Sequence, residues 1–585
     1  MRHILLLIAC YMPLASCGAR GTAPRLPRAA APSAPLRLAF THGPALPPAE
    51  PAAPTRALQQ ELARHSRRFA ELPAPRPYFL GYELTDRHEL EITAADGALL
   101  ATERSDRRAL DVDLRVGDYR LDNSHERARE RPSVLWVLPL DDDSALLRPT
   151  IWWATDRSYR RAQQTLLGAR GARAVQARPE DGSDDFSREA PRRQLEPVAR
   201  VALDPRPWEQ RLRTYSAQLA RAAGVLDSRV ALQVQQVTRY LANSEGTLAQ
   251  SSRRYAQLRI SALARAPDGM TLVREESVLV ESPEQLPADA VVRELVERVA
   301  SELAALRRAP LAEPYSGPAL LEGRAAAVLF HEVFGHRVEG HRQRDEREGQ
   351  TFAKQVGQPI MPAFIDLYDD PTIRTLNGVP LAGHYRIDDE GVPPQRVDLV
   401  QAGVLRGFLM SRRPIAGFPR SNGHGRRQEG LPVVARQGNL IVQPRSTVAP
   451  AALRRMLLAE IKRQGKRYGL RLGLVSGGFT TTDRALPQAF KVTPVLVYRV
   501  YPDGREELVR GADIEGTPLT ALSQVLAAGD DLAVFNGYCG AESGLVPASI
   551  ASPSVLLAHL ELTRAAWRRQ SAPVLPPPGV PSGAP

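Results

Sequence analysis

Three histidines fall between positions 331 and 341, in the run Phe330-His-Glu-Val-Phe-Gly-His-Arg-Val-Glu-Gly-His341. Paired imidazoles on a helix commonly hold zinc, and a glutamate beside the first can act as general base toward a water on the metal. The pattern His331-Glu332-x-x-x-His336 is one residue longer than the His-Glu-x-x-His motif. At about 100° per residue, His336 lies about 140° around the helix from His331, rather than about 40°. Sharing one ion then requires the helix to open or the side chains to lean inward, and a π-type widening is the expected device. Gly335, about 40° from His331 on the arc between the two, leaves room for a metal and eases the distortion. Glu332 lies between the histidines on the wheel, placed to take a proton from a zinc-bound water and return it to a leaving amine. Zinc suits two neutral imidazoles, one further ligand and an open fourth position. Three residues are candidates for the third ligand. Glu339 is about 80° from His331 on the same arc. His341 points to the far side. Cys539 lies in Asn536-Gly-Tyr-Cys-Gly540, whose glycines allow a tight turn.

The run Arg324-Ala-Ala-Ala-Val-Leu-Phe330 has strong helix propensity and the apolar character of a buried element. A chain of 585 residues exceeds one hydrophobic core, so two domains are expected. The pattern divides the chain near Arg308–Tyr315 into residues 55–310, with helices and strands, and residues 311–566, mainly strands, with the His-Glu helix among them. Leu58, Leu62, Phe69 and Leu72 mark the first helix. Strand-like stretches follow near Tyr78–Leu84, Leu99–Glu103 and Val134–Leu138. The charged, apolar-poor segment 172–196 reads as a long surface loop. Alternation from Val230 to Ala264 predicts a hairpin turning at Asn243-Ser-Glu-Gly246. After Pro287, the spacing of Val292, Leu295, Val296, Val299, Leu303 and Leu306 predicts a helix. In the second half, strands flank Gln401-Ala-Gly403 and Pro502-Asp-Gly504, and a helix follows Pro450.

Composition is globular, with 43% hydrophobic and 24% charged residues, which excludes a disordered chain or a coiled coil as the main architecture. The net charge of +12 could suggest nucleic acid. Lysine occurs only at 354, 462, 466 and 491, however, and the arginines are scattered without interleaved aromatics, so no nucleic-acid partner is expected. Arg2 and His3 precede a short apolar stretch that ends Leu14-Ala-Ser-Cys17. This reads as a signal peptide over 1–16 with lipidation at Cys17, then an Ala/Pro-rich tether over 17–54. The expected location is the bacterial cell envelope, lipid-anchored to a membrane and on the periplasmic side. With Cys10 removed and Cys17 lipidated, Cys539 has no partner for a disulfide. Residues 567–585 read as a disordered Pro-rich tail.

The second half resembles the TldD/PmbA family of metallopeptidases, in its TldD branch. The matching stretches run in order: Tyr315-Ser-Gly-Pro318, Gly323 to His336, Asp388-Asp-Glu-Gly-Val-Pro393, Asn422-Gly-His-Gly-Arg-Arg427, Gly511-Ala-Asp-Ile-Glu-Gly516, Gly529-Asp-Asp-Leu-Ala533 and Cys539-Gly540. The first half resembles the family only around the Asn243–Gly246 hairpin. The resemblance implies a Zn2+ site made by His331, His336 and Cys539, with Glu332 as catalytic base, and so favours Cys539 as third ligand. It also implies an α+β fold, with an N-terminal α+β domain of antiparallel strands and long helices over 55–310 and a β-rich catalytic domain carrying the His-Glu helix over 311–566. It implies cleavage of unfolded or flexible peptides inside a cavity formed by paired subunits, either a homodimer or a heterodimer with a PmbA/TldE-like relative. Strand addition suits such substrates. His341 stands where an acidic residue is common in the family and could compete for the metal. Tyr538, His424 and Arg426 are candidates to stabilise an oxyanion. The alternative is a non-catalytic peptide-binding lipoprotein, or a structural subunit of a TldD/TldE-like complex.

Overall fold

Strand alternation decides how the N-terminal half is built. In chain order it runs β1 (Phe40–His42), α1 (Ala53–Ala70), β2 (Pro77–Ala95), β3 (Ala98–Val116), β4 (Trp136–Leu138), α2 (Ser144–Val175), β5 (Arg193–Leu195), α3 (Arg206–Ala220), β6 (Val225–Asn243), β7 (Leu248–Arg265), β8 (Thr271–Val280) and α4 (Asp289–Arg308). The computed structural model describes residues 35–43, 49–125, 135–175, 181–198 and 203–567. The leader expected over 1–16, Cys17, and 568–585 of the expected tail lie outside them.

Strands β2 to β8, with β1 apart, form one sheet in the order β4-β3-β2-β6-β7-β5, with β8 paired on β7. Its long hairpins turn where the sequence supplies turn chemistry. Asp96 and Gly97, both at positive φ (50° and 84°), link β2 to β3. At the β6–β7 turn, Asn243 Oδ1 accepts the N–H groups of Glu245 and Thr247. On β2 the even-numbered residues Leu80, Tyr82, Leu84, Leu90, Ile92 and Ala94 are buried in two apolar clusters. One is covered by α1 and α2, the other by α3 and α4. The odd-numbered residues Glu83, Arg87 and Glu89 point to the opposite face, as do Arg239 on β6 and Arg253 on β7, and that face lines a large cavity. The mixed α+β class is the one expected.

Two corrections concern weakly apolar segments. The tether expected over 17–54 is, where described, partly built in: β1 pairs antiparallel with Ile373–Leu376. The loop expected over 172–196 begins inside α2 and later supplies β5, parallel to β7. Between them Phe186 is buried and sandwiched by guanidiniums, Arg115 at 3.7 Å and Arg412 at 3.8 Å from its ring centre. Cation–π packing holds this stretch, and hydropathy does not register it.

The C-terminal half begins with β9 (Tyr315–Leu321) and α5 (Gly323–Val333). One sheet joins Gly469–Thr480, β9, Val555–Arg564, Ala512–Gly516 and Phe490–Val500, and the pairing of 469–480 with 490–500 closes it into a ring. A second sheet ends in the antiparallel pair Gly544–Ser552 and Ala533–Ala541. α5 is wedged between the two sheets, packed on the strands 469–480, 490–500, 533–541 and 544–552. Leu474 and Leu496 reach across into the apolar cluster under α3 and α4, so the halves share packing.

Candidate metal centre

Every residue of α5 but Arg324 is buried. Its three alanines are good helix formers and small enough to sit between two sheets. Its start is pinned at Gly323, where a Cβ would lie 2.7 Å from the Ala533 Cβ and 2.8 Å from the Ser552 carbonyl. That close approach sets the helix against the strand carrying Cys539.

The expected π-type widening does not occur. The α-helix stops at Val333, Phe334 takes φ −120° and ψ −52°, and Gly335–Val338 form a 3₁₀ turn. The chain tightens and changes direction, which carries His336 back toward His331; their ring centres are 4.7 Å apart, at 70°. Gly335 also has a different use from the one expected. A Cβ there would strike the amide of Gln437, 2.6 Å from Nε2 and closer to the other terminal atoms. The glycine makes room for a side chain that holds His331, rather than for the ion.

One candidate ligand atom from each of His331, His336 and Cys539 lies within 4.8 Å of the others, and all three residues are buried. His331 Nδ1 is 3.0 Å from Gln437 Oε1, and His336 Nδ1 is 3.2 Å from Glu339 Oε1. Both Nδ1 atoms are thus engaged, which leaves Nε2 of each ring for a metal. Cys539 Sγ is 3.6 Å from His336 Nε2. Nitrogen and sulfur ligands at two corners of a tetrahedral zinc are about 3.6 Å apart, from bonds of about 2.0 and 2.3 Å. The donor set fits zinc in both chemistry and spacing.

Electrostatics favour the thiolate at Cys539; burial would lower the two imidazoles, but Cys539, joined at His336 by Glu339, holds both above the ordinary histidine value. Burial alone would raise the Cys539 thiol, but Arg436 and the two imidazoles hold it well below its ordinary value. Arg436 Nη2 lies 3.1 Å from Sγ and 2.6 Å from the Cys539 carbonyl. Glu339 is buried too, yet His336, Arg342 and Arg436 bring its carboxyl down to about 2. It is an anionic acceptor that orients His336, and it lies outside the group formed by His331, His336 and Cys539. His341, the other alternative, donates from Nε2 to Glu542 Oε1 at 2.6 Å and stands outside the cluster.

Glu332, 5% exposed, faces the same space, and its Oε2 has no hydrogen-bond partner among the described residues. Burial pushes its carboxyl up from the ordinary range. Gly478 gives it space, since a Cβ there would be 2.6 Å from Glu332 Cγ. The centre opens into a cavity of about 560 Å³. This adjoins the large cavity, about 1080 Å³, along Ser476, Phe535, Gly537 and Tyr538. Of the expected oxyanion groups, Tyr538 lines both cavities. His424 does not; it is fully buried, bonded to Asn422 and 3.2 Å from Asp369. Arg426 donates to the Gln437 carbonyl. Gln437, Arg436 and Gly478 were not singled out from the sequence. They come from segments with no metal-binding residue types, and no local signal marks them.

Residues 314–564 match the PmbA/TldA metallopeptidase C-terminal domain. A metalloprotease of Archaeoglobus fulgidus is 28% identical over 238 residues, covering 40% of this chain and 51% of that protein. A metalloprotease TldD homolog of Haemophilus influenzae is 26% identical over 249 residues, covering 41% and 46%. A zinc metalloprotease TldD homolog of Saccharolobus solfataricus is 22% identical over 307 residues, covering 50% and 63%. The chain spans about half the length of the curated relatives it matches. Among solved structures, TldE of Thermococcus kodakarensis superposes with TM-score 0.58 at 14% identity, covering 87% of this chain and 100% of that one. A Thermotoga maritima protein described as a modulator of a DNA gyrase gives 0.60 at 16%, with the same coverages. At these identities the likeness is one of fold.

Proposed function

We propose that this chain, whose C-terminal half belongs to the TldD/PmbA family of metallopeptidases, is a zinc-dependent peptidase acting on unfolded or flexible peptides. The supporting observation is the convergence of His331, His336 and Cys539 within 4.8 Å, beside a buried carboxyl with an unpartnered oxygen. His331, His336 and Cys539 would hold the ion, which when bound supplies Lewis acidity toward water and the scissile carbonyl. Glu332 then receives a proton at Oε2 and delivers it to the departing amine; its raised affinity for protons suits a base that must next act as an acid. The Tyr538 phenol, kept protonated by burial, stands near Tyr255, Arg87, Glu89 and Arg259 on the face of its strand opposite Cys539, so it is a donor toward a peptide held in the large cavity and not toward the metal side. Gln437 and Glu339 fix the two imidazole rings. Ala533–Ala541 has one strand neighbour among the described residues, and its free edge offers main-chain groups to an extended peptide, which supports side-chain-tolerant binding.

Glu332→Gln tests the reading. Zinc content should equal wild type while peptide hydrolysis falls by about 10²- to 10⁴-fold. Equal hydrolysis by the two would refute the role of Glu332, and absence of zinc from both would favour a non-catalytic peptide-binding subunit. The lipobox-like Leu14-Ala-Ser-Cys17 supports a place at the cell envelope with a lipid on Cys17, and the family resemblance supports pairing with a second copy or a TldE-like relative. Labelled palmitate incorporation lost in Cys17→Ser, and mass measurement of the purified assembly, test these.

A further inference from the structure

We infer that the large cavity contains a carboxylate-binding subsite formed by Arg253 and Arg426 around Tyr385. This rests on the peptidase reading, since it names the class of peptide that the same cavity selects. The two guanidiniums lie 5.9 Å and 4.8 Å from the centre of the Tyr385 ring, and all three residues line the cavity. Tyr385 is itself fixed, its hydroxyl donating to the Gly423 carbonyl at 2.8 Å. Arg426 is 6% exposed and makes one hydrogen bond, Nη1 to the Gln437 carbonyl at 2.7 Å. Among the described residues neither Arg253 nor Arg426 has a carboxylate partner.

Their surroundings show that this is uncommon here. Arg87, Arg239 and Arg427 line the same cavity, and they are matched by Glu429, Asp389 and Glu83 respectively. The acids that bear on Tyr385 are engaged elsewhere: Asp388 accepts backbone N–H groups from Glu390, Val392 and Gly425, Asp369 accepts those of Gly438 and Asn439, and Asp389 pairs with Arg239. Arg253 and Arg426 thus lack the paired carboxylate that Arg87, Arg239 and Arg427 have on the same wall. Burying Arg426 without a counter-ion is costly unless an anion completes the site. Two guanidiniums 5.9 Å and 4.8 Å from the centre of one fixed ring bring planar sets of donors together, a chemistry suited to a carboxylate. Gln437 ties the subsite to the metal centre, since its carbonyl holds Arg426 and its side chain holds His331. A peptide running along Phe535–Tyr538, the stretch common to both cavities, would place a carboxylate at the arginines and a backbone carbonyl toward Glu332. The carboxylate is either the peptide C-terminus or an Asp or Glu side chain.

The test uses the zinc-loaded full chain carrying Glu332→Gln and three fluorescein-labelled alanine hexapeptides, read by anisotropy. One has a free C-terminus, one a C-terminal amide, and one an amide with a single glutamate. The amide should bind weakest. A gain of about 10- to 100-fold for the free acid identifies the C-terminus as ligand, and the same gain for the glutamate amide identifies a side chain. Arg253→Gln, at a partly exposed position, should erase that gain while leaving amide binding unchanged, and Arg426→Lys should retain more of it than Arg426→Gln. Equal affinity for all three probes, or a loss in Arg253→Gln shared by the amide, overturns the inference and leaves the peptidase reading intact. No binding by any probe, with no hydrolysis by the chain that retains Glu332, overturns both.

Discussion

Gly335→Ala separates two physical expectations of opposite sign. By helix propensity alone, alanine should stabilise the segment by about 0.5–1 kcal/mol. Gly335 is not among the positive-φ glycines, so the backbone itself accepts a side chain. The new Cβ, however, would lie 2.6 Å from Gln437 Nε2 and closer to the rest of the amide, where carbon contacts are repulsive. Gln437 must leave, and His331 Nδ1 loses its partner at 3.0 Å. Loss of a group that orients a ligating histidine typically lowers metal affinity 10- to 100-fold, which is about 1.4–2.8 kcal/mol. Competition titration of zinc against a chromophoric chelator should therefore show that loss in Gly335→Ala, with thermal unfolding of the metal-free chain unchanged or slightly improved. Gln437→Ala should show the same loss. Because the truncated side chain leaves space for the Cβ, the double variant should be no worse than Gln437→Ala alone. Wild-type affinity in Gly335→Ala, or additive losses in the double variant, would refute the reasoning.

Gly478→Ala should displace Glu332, given a Cβ 2.6 Å from its Cγ and 2.9 Å from the Lys491 carbonyl; turnover should fall at least 10-fold with zinc stoichiometry retained, measured by peptide hydrolysis and metal analysis. His384 is buried, and burial together with Arg253 lowers its pKa to about 3. Between pH 6.5 and about 3 the unfolded chain binds a proton that the folded chain refuses, so stability falls as pH drops through that window, by up to about 1.4 kcal/mol per unit. Urea titrations should show a shallower fall in His384→Asn than in wild type. Arg108 is fully buried on β3 and grips Asp86 through Nε and Nη2 at 2.6 and 2.7 Å. Arg108→Met strands that buried carboxylate and should cost about 3–5 kcal/mol in urea unfolding, much of it recovered in Arg108→Met with Asp86→Asn.

The sequence made the scaffold legible where patterns are local. The β6–β7 hairpin and α4 follow from alternation, an Asn-Ser-Glu-Gly turn and a 3.6-residue stripe. Helix α2 escaped because Pro149, a residue that usually ends helices, lies inside it and because it carries only a weak apolar stripe among many arginines. At the centre, residue types and spacing pointed to His331, Glu332 and His336, while the placement of Cys539, two hundred residues on, came from resemblance. The direction of the distortion was misread for a physical reason. Spacing of 140° shows that a regular helix cannot bring the rings together, but both unwinding and tightening can. Only the tertiary obstruction by Gln437 shows why residue 335 must be glycine.

Arginine content illustrates the same limit on reading charge from composition. A net +12 spread along the chain suggests a cationic surface. Yet Arg108, Arg274, Arg337, Arg412 and Arg436 are among the largest fully buried side chains. Each has interior acceptors: Arg274 pairs with Glu276 and Glu302, Arg412 with Glu245, and Arg436 with Glu339 and the Cys539 sulfur. Because guanidinium remains charged at all relevant pH values and has five donors, it can cross-link loops where an apolar side chain could not satisfy the carbonyls and carboxylates present. The polar face of the β2–β8 sheet follows the same logic. It alternates as a solvent-facing surface would, but it forms the wall of a cavity, where Arg87, Arg239 and Arg427 are paired with carboxylates and the two arginines beside Tyr385 are not. In such an interior, the informative charge is the one left without a counter-ion.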